Sequence, residues 1–398
     1  MKNLRQHLDG SDRVMVLAPH PDDESLATGG VLQWAARVGA PVRVLFMTSG
    51  ENNPWSQRAT ERRWRISWHD RHRWGARRRR EALAAIAQLG IGPEVARFLE
   101  FPDQQTMDCL TTDMENSVLR LAHEFARWQP TVLFAPSLDD RHPDHGATAV
   151  LAHLALSRSP QRPRVYHYRI HPRVRSQADR RTFGLVLSAP EREAKRLAVL
   201  SHSSQLALRR RPLLEFVSSP ERFEEEARPA RAVQPSHPLH LVHAGLDEIC
   251  LAVRLSLRIL LGGVELLLIT QREERTRLVR VHLAPLGTRE ARLSGTGDGG
   301  GGLVTSFRRG RQLFVTIASP GLRRAESVLA KLDVTRERNL GFFDAWPWLN
   351  LSLATQSHPH ASRRVIEASF SLEKPRTSAW PERSAVLPRI TNGEATRA

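Results

Sequence analysis

The chain has 398 residues, 40% of them hydrophobic, enough for an ordinary core and long enough for two or more domains. Its two cysteines, Cys109 and Cys250, exclude a disulfide framework, and neither lies in a ligand-like pair. The formal net charge of +17 would ordinarily point to nucleic acid or an anionic surface. Only Lys2, Lys195, Lys331 and Lys374 are lysines, so the excess is arginine, a bias that a GC-rich genome also produces. With no recognisable nucleic-acid module beside it, no nucleic-acid partner is expected, while an anionic substrate or peripheral membrane contact stays open.

Val14 to Ala18 is a continuous apolar run, the pattern of a strand buried on both faces. The charged knot Pro19-His20-Pro21-Asp22-Asp23-Glu24 follows it directly. Periodicity then predicts a helix from Ser25 to Val38, a strand at 42–48, a helix at 76–89 closing on Gly90, and a strand at 96–101. A helix over 113–128 places Val118, Leu121, Ala122 and Phe125 on one face, entered through a capping box from Thr112 to Glu115 and stopped by Pro130. A strand at 131–136 leads into a second knot, Arg141-His142-Pro143-Asp144-His145; a helix after Gly146 and a strand at 164–170 complete the series.

Five strands alternating with helices imply an α/β domain of Rossmann-like, three-layer form with a mainly parallel sheet. In the strand order 3-2-1-4-5, strands one and four are neighbours, about 4.8 Å apart, and ligands bind at their carboxyl ends. The two knots follow those strands, so one crevice would gather His20, Asp22, Asp23, His142, Asp144 and His145. Two carboxylates and an imidazole packed into four positions are costly unless a cation neutralises them. A solvated acidic turn is the bland reading of the first knot alone, and the second knot weighs against it. Two imidazoles plus one carboxylate, with a position left for water, is a composition used by catalytic zinc (Zn2+), and nitrogen and oxygen ligands suit ferrous iron (Fe2+) as well.

These knots resemble the AHPDDE-like and HPDH-like signatures of the PIG-L/LmbE-type N-acetylglucosaminyl de-N-acetylases, with Pro19 where Ala is more usual. Weaker echoes are Thr48-Ser49-Gly50-Glu51, the stretch from Arg78 to Glu81 leading into Ala85 and Leu89-Gly90, and Lys195, Ala198 and His202-Ser203-Ser204-Gln205. The likeness spans about residues 12–206. It implies a zinc-dependent hydrolase that removes acetyl from an N-acetylated amino-sugar conjugate, which could be anionic or lipid-linked, giving acetate and a free amine. His20, Asp23 and His145 would hold the metal, Asp22 would be the general base and His142 the companion acid. Asp144 would orient His142 or a ligand histidine, or only serve its turn.

Between Glu51 and Arg80 an insertion interleaves Trp55, Trp64, Trp68 and Trp74 with arginines and histidines. It reads as an aromatic and cationic substrate platform or as packing, with Trp64 and Trp68 on one face if helical; Glu51, Trp55 and Arg78 are the substrate-binding candidates. The helical register starts at Arg77 to Arg80, basic residues that oppose the dipole there.

Residues 1–210 are thus the deacetylase-like domain and 211–238 a helix and linker. Residues 239–375 are a smaller β-rich second domain, with a disordered tail from 376. Strands are expected at 249–261, 264–271, 278–283, 312–317 and 364–372, a helical piece at 324–332, and a flexible glycine loop at 295–302 that lacks a phosphate-loop placement. Phe342, Phe343, Trp346 and Trp348 read as a sugar-stacking patch or a packed core. The apolar window 255–270 contains Arg258, Glu265 and Gly262-Gly263 and reads as a β-hairpin rather than a membrane span. Residues Met1 to Arg13 lack the apolar stretch of a signal peptide, so a cytoplasmic location is the default. Two competing readings are a nucleotide-binding protein, suggested by Thr28-Gly29-Gly30, and a non-catalytic glycan-binding or scaffold protein on the same sheet.

Overall fold

A short strand, Lys2–Asn3 (β1), precedes Val14–Ala18 (β2), whose residues are all buried. The computed structural model describes residues 1–172, 182–218, 220–226, 237–244, 248–272, 275–283, 289–293, 302–318, 327–334 and 343–351. After β2 come Asp23–Val38 (α1), Val42–Thr48 (β3), Pro54–Glu61 (α2), Trp68–Gln88 (α3), Ala96–Phe101 (β4), Thr106–Thr112 (α4), Met114–Trp128 (α5) and Val132–Pro136 (β5). Pro143–Ser157 (α6), Arg164–Tyr168 (β6), Thr182–Leu185 (β7), Ala189–Ser201 (α7), Ser203–Ser218 (α8) and Glu221–Glu225 (β8) complete the α/β half.

These strands form one eight-stranded sheet in the order β1-β7-β8-β6-β5-β2-β3-β4. Its middle is parallel, and β8 runs antiparallel to both β6 and β7. The strands β2 and β5 are hydrogen-bonded neighbours with Val14 opposite Val132, so the loops leaving their carboxyl ends emerge side by side. Period-two alternation divides β2 between two cores: Val14, Val16 and Ala18 face one with α1 and α3, while Met15 and Leu17 face the other with α5 and α6.

Helices begin earlier than periodicity predicts, and this matters for the site. Asp23 opens α1 and Pro143 opens α6, so each charged knot supplies the first turn of a helix. The start of α3 is set by a capping box at Ser67 and Asp70, which leaves Arg77 to Arg80 in mid-helix rather than at an amino terminus. The capping box expected from Thr112 to Glu115 does not form. Thr112 instead closes α4, its hydroxyl donating to the Asp108 carbonyl at 2.7 Å, and Glu115 pairs with Arg158.

The rest is mainly antiparallel: Leu239–Ala244 (β9), Glu248–Arg254 (β10), Leu257–Gly262 (α9), Val264–Arg272 (β11), Arg275–Leu283 (β12), Arg289–Leu293 (β13), Gly302–Arg309 (β14), Gln312–Ala318 (β15), Ser327–Val334 (β16) and Leu349–Asn350 (β17). They make a five-stranded sheet, β13-β14-β15-β10-β9, and a four-stranded one, β12-β11-β16-β17. Three expectations are corrected here. The strand over 249–261 stops at Arg254, because Ser256 caps α9. The window 255–270 is therefore a helix and a strand, and the hairpin forms between β11 and β12 instead. Of the helical piece expected at 324–332, the described residues from Ser327 onward belong to β16, whose Val328, Ala330 and Leu332 face one core and whose Leu329 faces the other. The expected strand at 364–372, Phe342, most of the glycine loop and the tail from 376 lie outside the described residues.

Leu267, Ile269, Leu329 and Trp348 share a hydrophobic cluster with Ala147, Leu151 and Leu154 of α6, so the four-stranded sheet packs on the helix that carries the second knot. Trp348 is 1% exposed and lies over Gly146, where an added Cβ would stand 3.1 Å from its Cδ1. Trp346 is likewise buried, which makes both tryptophans core residues.

Trp348→Ala is expected to cost about 3–5 kcal/mol, read as a lower urea midpoint. A second test concerns Glu191 in the capping box of α7. Burial works to raise its pKa, but hydrogen bonds from Arg5, the Ser188 backbone and Arg37 hold it down to about 2. The stability this contributes is present above the ordinary glutamate pKa and lost as pH falls through about 2. Glu191→Gln should flatten that acid limb of the stability–pH curve and leave the neutral limb parallel to wild type.

Candidate metal centre

The turn after β2 places the first knot. Asp22 caps α1 with φ 144°, a strained conformation for a residue with a side chain, and its N–H donates to Glu24 Oε2 at 2.9 Å. That turn aims Asp23 inward, where Oδ2 accepts the His20 N–H at 2.9 Å. His145, in the first turn of α6, meets them from β5. The separations are 3.5 Å for His20 Nδ1 to Asp23 Oδ2, 3.3 Å for His145 Nε2 to Asp23 Oδ2, and 3.3 Å for His145 Nε2 to His20 Nδ1. Ligand atoms at about 2.0–2.1 Å around a tetrahedral ion stand about 3.3 Å from one another. All three residues are buried, so the donor set and its spacing fit a divalent cation.

A second ring of carboxylates backs the histidines. Asp144 Oδ2 lies 3.2 Å and Asp103 Oδ1 3.3 Å from His20 Nε2, and Asp140 Oδ2 lies 3.3 Å from His145 Nδ1. His20, Asp103 and Asp144 also come close enough to share a cation, as do His20, His142 and His145. Asp144, however, already accepts N–H donors from Gln104 at 2.7 Å and Thr106 at 3.1 Å, and Asp140 from His142, Ile170 and His171. Such committed carboxylates behave as orienters of imidazoles. Asp144 thus faces the ligand candidate His20, while its own N–H donates to Nδ1 of His142.

The electrostatics show how much positive charge the cluster calls for. Burial opposes protonation of His145, yet Asp23 and Asp140 lift its pKa to about 10. Burial likewise opposes charge on His20, but Asp103, Asp144 and Asp23 raise it well above the usual value. Burial would raise Asp23, and His145 and His20 hold it well below the carboxylate range. His142 is different: burial and the neighbouring His20, His145 and His171 push its pKa well down. Its Nδ1 accepts from the helix N–H of Asp144, so its remaining hydrogen is on Nε2.

Asp22 stands apart from the other acids. Its side chain is 15% exposed, against 3% or less for Asp23, Asp103, Asp140 and Asp144. Burial lifts its pKa, Arg78 opposes and Asp23 adds, leaving about 6. Arg78 is buried: Nη2 donates to the Pro21 carbonyl at 2.7 Å, Nη1 to the Gly50 carbonyl at 3.0 Å, and Nη2 stands 3.4 Å from Asp22 Oδ1. Of the other substrate candidates, Glu51 accepts the Asp103 N–H through Oε1 at 2.8 Å while its Oε2 is buried without a hydrogen-bond partner. Trp55 is half-exposed on α2.

The later echoes buttress α1 and α3. His202 Nε2 contacts Glu24 at 3.0 Å, Ser204 donates to Glu81, and Lys195 pairs at 2.7 Å with Glu221, which also caps the Gly30 and Val31 N–H groups. Thr28-Gly29-Gly30 is therefore interior helix. In the insertion Trp74 is core, whereas Trp64 lies between α2 and α3 and does not share a helix face with Trp68.

Sequence reasoning missed Asp103, Asp140 and His171. They follow β4, β5 and β6 as the knots follow their strands, so the carboxyl-end rule could have found them. Phe343, expected in a sugar-stacking patch or a packed core, reaches the centre from far along the chain, its ring 5.0 Å from that of His171 and 6.3 Å from that of His142.

Residues 15–156 match the family model described as PIG-L, GlcNAc-PI de-N-acetylase. A 1D-myo-inositol 2-acetamido-2-deoxy-alpha-D-glucopyranoside deacetylase from Mycobacterium sp. (strain KMS) is 29% identical over 167 residues, 39% of this chain and 53% of that protein. The protein of the same name from Mycobacterium avium (strain 104) is 34% identical over 85 residues, 20% of this chain and 26% of its own. The chain spans about half the length of the curated relatives it matches. Among solved structures, N,N'-diacetylchitobiose deacetylase from Pyrococcus horikoshii has 20% identity and a TM-score of 0.44 over 56% of this chain and 86% of that one. A conserved protein from Thermus thermophilus, TT1542, has 26% identity and a TM-score of 0.41 over 57% and 99%.

Gly50, at φ 65°, closes the Arg78 clamp, and a Cβ there would collide with the guanidinium. Gly50→Ala should displace Arg78 from Pro21 and Asp22 and lower stability by about 1–3 kcal/mol, measured by thermal unfolding.

Proposed function

We propose that this protein is a metal-dependent hydrolase that removes the N-acetyl group from an amino-sugar conjugate, with zinc as the ion. His20, Asp23 and His145 would hold it; their mutual spacing of 3.3–3.5 Å carries this reading. A divalent ion bound there supplies a water of lowered pKa and polarises the acetyl carbonyl. Relatives named as deacetylases of a glucosaminyl inositol support an N-acetylglucosaminyl substrate class.

The remaining chemistry belongs to the side chains. Asp22 is the general base: alone among these acids it keeps appreciable exposure, so it can take a proton from the attacking water. Arg78 is its positioning residue, fixing both the carboxylate and the strained turn beneath it. His142, expected as the companion acid, would instead act as a neutral imidazole, because burial and its histidine neighbours hold its pKa well down; its Nε2–H would donate to the oxygen that gains negative charge. When the C–N bond breaks, the amine leaves with the proton that Asp22 collected, and the acetyl carbon keeps the water oxygen as acetate. Asp144 and Asp140 hold His20 and His145 in register.

Acetate release should be measured across a panel of N-acetylglucosaminyl conjugates with metal-loaded and chelated protein. Chelation should abolish release and zinc restore it. His145→Ala is expected to lose both bound metal and hydrolysis. Asp22→Asn should retain metal, by elemental analysis, and lose turnover by about 100-fold or more; full activity of this variant would remove the base assignment. Asp140→Asn should weaken metal affinity by about 10–100-fold in a chelator competition.

A further inference from the structure

The segment 54–73 holds three tryptophans outward: Trp55, Trp64 and Trp68 are 52%, 78% and 71% exposed. Tryptophan is highly buried on average, and a cluster of exposed ones marks a contact surface. The segment is not loose. Asn53 caps α2 through Ser56, Ser67 and Asp70 cap α3, Gln57 donates to the Asp70 carbonyl at 2.7 Å, and Arg58 Nε donates to the Trp64 carbonyl at 2.9 Å. Its six arginines face only two acids, and both are tied to arginines of the same segment, Glu61 to Arg73 at 2.7 Å and Asp70 to Arg63 at 2.8 Å. Arg62, Arg65 and Arg71 are exposed beside the indoles. The scaffold therefore presents apolar rings and positive charge together and gives neither an interior partner.

The ring geometry chooses among occupants. Sugar or base stacking needs open indole faces, but the Arg58 guanidinium stands 5.1 Å and 5.5 Å over the rings of Trp55 and Trp64, and Trp68 stacks on His72 at 5.7 Å with 17° between planes. A bilayer interface makes no such demand. Indoles settle at the headgroup level by their amphipathic edges, and arginines are drawn to anionic lipid. No helix among the described residues is long and apolar enough to cross a membrane, so the contact would be peripheral. We propose that residues 54–73 dock the protein on an anionic bilayer surface, with Trp64 and Trp68 entering the headgroup layer. The surface adjoins the candidate centre. Asn52, just before α2, donates its N–H at 2.7 Å to Asp103, which lies 3.3 Å from His20. This inference is independent of the hydrolase reading.

Flotation of the full chain with vesicles tests it without any activity assay. The protein should float with phosphatidylcholine vesicles containing about a third phosphatidylglycerol, not with phosphatidylcholine alone, and be released at high salt. The double variant W64A/W68A, folded by circular dichroism because both side chains are exposed, should bind several-fold more weakly. R62E/R65E should bind on the order of tenfold or more weakly and lose much of the salt dependence. No flotation at low salt, or equal binding by W64A/W68A, overturns the proposal. So does tryptophan-dependent binding to duplex DNA or a soluble glycan without vesicle binding.

Discussion

Charge balance in a nearly closed volume is the constraint on which the rest of the structure depends. Asp22, Asp23, Asp103, Asp140 and Asp144 crowd around His20, His142, His145 and His171 at the carboxyl ends of β2, β4, β5 and β6. Isolated buried carboxylates are too costly to persist. Here Asp23, Asp103, Asp140 and Asp144 have donors supplied by the fold, backbone N–H groups of His20, Asn52, Gln104, Thr106, His142, Ile170 and His171, and Asp22 has the Arg78 guanidinium 3.4 Å away. The positive ends of α1 and α6 also converge on the cluster. A parallel sheet is what makes this arrangement available, because it points every strand's carboxyl end and the following helix's amino end to one edge.

The same logic separates ligand candidates from their supports. His20 uses its two nitrogens toward different neighbours, Nδ1 toward Asp23 and His145, and Nε2 toward Asp103 and Asp144. On the Nδ1 side the three atoms converge within 3.3–3.5 Å of one another, and of them Asp23 Oδ2 also accepts the His20 N–H. On the Nε2 side the carboxylates are already spent on backbone N–H groups. That asymmetry, more than proximity, favours the Nδ1 side as the place for a cation. It also explains why the histidines alone cannot stand in for one. The rings of His20, His142 and His145 stand 4.8–5.3 Å from one another and His142 accepts a helix N–H, so added protons on all three would repel one another.

What was legible in the sequence is the part whose chemistry is contiguous. His20, Asp22 and Asp23 sit in one knot and His142, Asp144 and His145 in another, each after an apolar run too short and too uniform for anything but a buried strand. Their meeting follows from β2 and β5 being neighbours. What escaped was spread thin. Asp103, Asp140 and His171 are single residues in loops of ordinary composition. The helix α4, Thr106–Thr112, has no apolar period to announce it. The strand β16 was misread because Ser327–Val334 has apolar residues compatible with both periods, and the tie between Lys331 and Asp344 that lets its lysine be buried is invisible locally. The earlier start of α3 follows from a two-residue capping box ahead of a stretch with arginines on every side.

Distant chain segments also govern the second knot. The loop from Ser137 to His142 has no regular structure, yet it sets where α6 begins and so where His145 points. It is held from both flanks by backbone hydrogen bonds: Ser137 N–H to the Tyr168 carbonyl and Arg141 N–H to the His171 carbonyl on the sheet side, Asp344 N–H to the Arg141 carbonyl and Trp348 N–H to the Leu138 carbonyl on the other. Trp348 then closes over Gly146, the residue after His145, where a larger residue would force the two apart. The β-rich half is thereby a structural determinant of the centre, because the same short segment that completes its four-stranded sheet also clamps the loop between β5 and α6. Residues 343–348 lie far beyond the segment matched to the family model, so the second knot is braced from a distant part of the chain.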